Sequence, residues 1–136
     1  MTDEEFLAAF EQCTLPEKEW THRAHVRMAW IYLRRGSLAA MLPVVRRGIQ
    51  RYNATLNKHL GYHEMITRGF VILIADRIGR GAGGMSFESF CAENPDLLDN
   101  KLTALLAHYR RETLFSPAAR EGFVTPDLRP LPGANF

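Results

Sequence analysis

FVILIAD, residues 70–76, decides the fold of this chain. Taken alone the run reads as a strand, because Phe, Val and Ile suit a pleated surface. Its setting argues otherwise. Ile66, Phe70, Leu73, Ile74 and Ile78 carry the apolar pattern at helical spacing from about His63 to Gly79, with polar residues at both flanks. The run is therefore a helix. Its centre is apolar on nearly every side, which predicts the central helix of a bundle.

The neighbouring segments follow the same period. A short amphipathic helix is expected over about residues 3–12, with Thr2 as its N-cap and Phe6, Leu7 and Phe10 as its apolar face. CTLPEKEW breaks the pattern at Pro16. A second helix runs from Thr21 to about Arg35 and ends at Gly36 in a C′ role. Ser37 caps a third, whose stripe comprises Leu38, Met41, Leu42, Val45, Ile49, Tyr52 and Leu56; Pro43 predicts a kink or a restart near Met41. KHLGY, containing His59, is a short connection.

Beyond the central helix, GRGAGGM reads as a mobile loop, matching neither a Walker A loop nor a dinucleotide loop. Ser86 caps SFESFCAEN. Asn94–Pro95 opens a Leu-rich helix striped by Leu97, Leu98, Leu102, Leu105, Leu106 and Tyr109. His108, Arg110 and Arg111 close it, where positive charge complements the helix dipole. FSPAAREGFV gives a last short helix from Ser116–Pro117, and TPDLRPLPGANF an extended strap. The fold class is all-α: a compact bundle of four to five main helices with an extended C-terminal strap, in a single domain over residues 1–136.

Composition narrows the function classes. The 136 residues are 46% hydrophobic and 24% charged, an ordinary globular balance. No apolar run reaches membrane-span length. The stretch MTDEEFLAAFEQ is acidic and amphipathic, unlike a secretory signal, so the expected location is the cytoplasm. Cys13 and Cys91 are far apart, in no CxxC pattern, and read as buried thiols. The net charge of +2 and the lack of aromatic–basic interleaving argue against nucleic acid.

Topology gathers the polar residues. Helices two, three and four are joined by short connections and should run antiparallel. His22 and His25 occupy the first turn of helix two; His63 and Glu64 occupy the first turn of helix four. Both starts are expected at one end of the bundle, where Arg51, Tyr52 and Asn53 also arrive. Three imidazoles and a carboxylate suit a divalent metal ion such as zinc, iron, manganese or nickel. The expected ligands are His22, His25 and His63, with Glu64 as fourth ligand or catalytic base. Arg51, Tyr52, Tyr62 and Arg120 are the expected substrate contacts, the arginines for an anionic group. HRAH is a bare HxxH and weaker than HExxH. Two other readings compete: a metal-free ligand pocket, or histidines that only cap helices and satisfy core hydrogen bonds.

The segments WTHRAHVRMAWIYL, GIQRYN, GYHEMIT and LFSPAAREGFVTPDLRPLP together resemble a family of small bacterial all-helical proteins that has no assigned activity. The resemblance spans about Trp20 to Pro132. It implies that His22, His25, His63 and Glu64 belong together, along with Tyr52, Asn53, Ser116, Arg120 and Asp127. It implies no reaction.

The expectation is thus a cytoplasmic helical protein with a His-rich pocket, binding a metal and acting as a metal-dependent enzyme on a small anionic molecule. The alternative is a non-catalytic module for a ligand or partner, with a structural histidine network. A homodimer is the default form of self-association; no membrane partner is expected.

Overall fold

The structure, a computed structural model, describes residues 1–58, 61–82 and 86–133. Every regular element among them is helical, which establishes the all-α class. The contacts divide the chain into two compact units, Met1–Tyr62 and His63–Phe136. His59, Gly83 and Gly84 lie outside the described residues.

The first unit holds α1 (Asp3–Glu11), a single 3-10 turn (Glu17–Glu19), α2 (His22–Leu33) and α3 (Leu38–Thr55). Thr2 caps α1 in a reciprocal box with Glu5: the threonine oxygen accepts from the Glu5 amide, and the glutamate accepts from the Thr2 amide. At its other end the Cys13 amide donates to the Phe10 carbonyl and the Thr14 amide to Ala9, with Cys13 at φ 59°. This is a Schellman ending with cysteine where glycine is usual. Asn57, at φ 57°, ends α3 in the same way.

Gly36 does not have the expected C′ role. The α2 C-cap is Arg34, and Gly36 is not among the residues with positive φ. A Cβ there would instead lie 2.8 Å from the Met41 side chain. α3 also runs through Pro43 without a restart; at the sixth helical position the proline has no N–H to offer the Ala39 carbonyl.

Packing within this unit centres on rings. Phe10 is fully buried and stacks on Trp20 at 4.9 Å, with the Tyr52 ring edge-on to Trp20 at 5.0 Å. Gly48 lets α3 approach α1 closely, since a Cβ there would sit 2.8 Å from the Phe10 ring. Arg27 on α2 pairs with Asp3 on α1 at 2.9 Å.

The second unit holds α4 (Glu64–Arg77), α5 (Phe87–Glu93), α6 (Pro95–Leu98), α7 (Thr103–Leu106), α8 (Arg111–Leu114) and α9 (Pro117–Glu121). Residues 69–74 of α4 are buried without a break, as the apolar run predicts. α4 packs against α7 and α9. Its Gly69 sits under Leu105, where a Cβ would be 2.5 Å from that side chain. A π-helical turn, Ile78–Ala82, follows α4 and is broken at Gly81, whose φ of 115° is not helical; the rest of GRGAGGM, residues 83–85, lies outside the described residues.

The Leu-rich segment differs from expectation: it is broken into α6 and α7. The Asp99 carboxylate accepts from the amides of Lys101 (3.0 Å) and Thr103 (3.3 Å), and Leu102 takes a left-handed conformation at φ 61°. A short acidic side chain here competes for backbone amides and stops the helix. His108 therefore lies past α7 in a turn, and Arg111 opens α8. The dipole argument made for a long helix does not apply to Arg111.

The strap is present as expected up to Gly133, fixed by side chains. The Val124 carbonyl accepts from the Tyr109 hydroxyl (2.7 Å), and its amide donates to the Met65 sulfur (3.4 Å). Asp127 accepts from the Arg110 amide (2.9 Å) and the Thr113 hydroxyl (2.5 Å). The Leu128 amide donates to the His108 carbonyl, and Leu131 is buried. Burial, together with the Asp127 charge, pushes the Tyr109 phenol up to about 12.

Candidate functional site

α2 begins at a well-formed cap: the Thr21 hydroxyl accepts from the Ala24 amide at 3.2 Å. His22 is the first helical residue and His25 the fourth, so their rings share one face. The His25 ring stacks on Trp20 with centroids 3.8 Å apart. Its Nδ1 lies 2.7 Å from the Thr21 carbonyl oxygen. A carbonyl only accepts, so Nδ1 carries the proton and Nε2 a bare lone pair. No described residue bonds to that Nε2. Burial holds the ring's pKa down to about 4 against the pull of the Thr21 carbonyl, and the charge of His22 adds to the depression. His25 is thus a neutral acceptor across the physiological range. A cleft of about 350 Å³ opens beside the same turn, lined by Lys18, Thr21, Arg23 and Arg27.

Tyr52 and Arg51 were expected to hold substrate. Tyr52 is buried, its hydroxyl donating to the Leu15 carbonyl. Arg51 is exposed on α3, and its charge lowers the Tyr32 pKa, which burial and Glu11 keep above the ordinary phenol value. Tyr62 is half-buried at the end of the first unit.

In the second unit His63 is the N-cap of α4. Its Nδ1 accepts from the Ile66 amide at 3.1 Å, and its Nε2, 2.9 Å from the Leu114 carbonyl, donates. One neutral tautomer satisfies both bonds, and both ring nitrogens are then in use. Burial, aided by the charge of Arg120, holds the pKa below the usual imidazole value despite the Leu114 carbonyl. Phe115 meets the ring edge-on at 6.1 Å. Glu64, the first residue of α4, is 8% exposed. Arg120 lies on α9 with an exposed side chain. Ser116 caps α9, and Asp127 fastens the strap, so two positions grouped by the resemblance hold backbone in place.

The structure thus places His22 beside His25 in one unit, and His63 beside Glu64 in the other. Within each unit, among the described residues, no group of three or more His, Cys, Asp or Glu side chains is placed to hold a metal ion. Sequence reasoning missed a polar network on α4: Arg77 donates to Asn94 (2.8 Å) and to both oxygens of Asp96 (3.0 and 2.8 Å). An Asn-Pro-Asp run following a basic helix end was the available signal. None of the described helices is long and apolar enough to cross a membrane. The chain matches no protein-family model, no curated protein and no solved structure.

Proposed function

We propose that the first unit is a non-catalytic module that binds a small molecule carrying a hydrogen-bond donor, with His25 Nε2 as the acceptor, and that His63 is structural. One observation carries this reading: of two imidazoles with fixed tautomers, His25 keeps an unused lone pair and His63 keeps none. A lone pair on a ring whose tautomer and plane the fold fixes is ready to accept from a donor. Trp20, stacked on the ring, fixes its plane.

A second reading retains the metal. An imidazole whose Nδ1–H is held by a carbonyl is oriented as metal-bound histidines are, and His22 stands next to it. A divalent ion such as zinc would then be bound through His25 Nε2.

Thermal unfolding of the wild type and of His25→Gln against a small-molecule library, with elemental analysis of both proteins, separates the readings. A compound that raises Tm in the wild type and not in the variant is the expected result. A hit that acts equally on both defeats the proposal. Stoichiometric metal in the wild type, lost in the variant, transfers the case to the second reading.

A further inference from the structure

The second unit carries its own cleft, of about 320 Å³, lined among others by Leu73, Asp76, Arg80, His108, Arg129 and Pro130. Two acceptors in it accept no hydrogen bond from the described residues. Asp76 Oδ2 is buried and accepts no hydrogen bond; Arg80 Nε lies 3.0 Å away as an ion-pair partner, on a side chain that is 70% exposed. His108 is only 8% exposed. Its Nδ1 faces the Arg129 carbonyl at 3.0 Å and so carries the proton, which leaves Nε2 a bare acceptor without a partner among the described residues.

Among the described residues, one lining cation also has no ion-pair partner. Arg77 lines the cleft too, but Asn94 and Asp96 occupy it. Arg129 is exposed and makes no ion pair among the described residues. The cleft therefore offers a carboxylate oxygen and an imidazole lone pair to a donor, and a guanidinium to an anion.

Three ligand chemistries can be compared. A metal ion would need a third donor, and none is grouped there. A simple anion would answer Arg129, face the Asp76 carboxylate and leave both acceptors unpaired. A zwitterion answers all three groups. We propose that this cleft binds a free α-amino acid, its ammonium donating to Asp76 and His108 Nε2 and its carboxylate held by Arg129. The cleft volume, at the lower end of small-molecule sites, suits a ligand of that size. This site stands independently of the one in the first unit.

Titration of the full chain with the common amino acids, followed by NMR chemical shifts, tests the assignment; acetate, propylamine and inorganic phosphate serve as controls. Saturable binding of at least one amino acid is expected, weakened about tenfold or more by Arg129→Gln and by Asp76→Asn. Arg129 is exposed and has no ion-pair partner among the described residues, so its variant keeps the test valid even where Asp76→Asn unfolds. Acetate, propylamine or phosphate binding as tightly as every amino acid overturns the proposal. So does an unchanged affinity in Arg129→Gln, or no saturation up to about 10 mM.

Discussion

The first unit rests on helices of 9, 12 and 18 residues, whereas the second sets five helices of four to seven residues around one of 14. Long helices are held by an apolar stripe and need a polar side chain only at each end. Short ones lack that stripe, and side chains that bond to backbone define them: Asp99, Asp127, Ser116 and Asn94 each hold an amide or a carbonyl. The two histidines differ in the same sense. His25 rides on a helix that Thr21 has already capped, so one ring nitrogen is spare; His63 is itself the cap.

The contrast can be broken most forcefully at Phe10. Phe10→Ala should cost about 3–5 kcal/mol in urea unfolding, because it empties the ring stack beneath Gly48. A loss below about 1 kcal/mol would show that rings do not carry the first unit.

Next comes His25. Its pKa is about 4 folded and 6.5 in the free side chain, so the unfolded chain binds more protons between those values. Stability should be fully present above pH 6.5 and fall by on the order of 2–3 kcal/mol as pH drops towards 4. His25→Gln should flatten the curve of stability in that window. An unchanged slope would mean that this ring is not the source.

A smaller effect belongs to the cap. His63→Ala should cost about 1–2 kcal/mol, and His63→Asn should recover part of it, since asparagine caps but cannot also reach Leu114. Equal losses in both variants would assign the energy to the Leu114 bond. The smallest expected change is a gain: Cys13→Gly should stabilise by about 0.5–1 kcal/mol by removing the left-handed strain of a residue with a Cβ. A loss would show that the thiol's packing outweighs that strain.

Much of the helical framework was legible from period and punctuation. Thr2, Thr21, Ser37, Ser86 and Ser116 cap helices as the sequence indicates, because a short hydroxyl before an apolar repeat has one efficient use. The break at Asp99 was hidden, since Leu97, Leu98, Leu102, Leu105 and Leu106 keep a helical rhythm across it; a left-handed leucine is invisible to periodicity. For the candidate site, the pairing of His22 with His25 followed from spacing along one helix. What His63 does with its nitrogens depends on Leu114, fifty-one residues away, which no local pattern reports.

Met65 bears a consequence of its own. Its sulfur lies 3.4 Å from both the Val124 amide and the Tyr109 hydroxyl, in a fully buried place. Exchanging methionine for leucine is ordinarily among the mildest of interior changes. Here it would take a weak acceptor from the half-buried Val124 amide, so a position that looks like interchangeable filler also fastens the strap through its thioether.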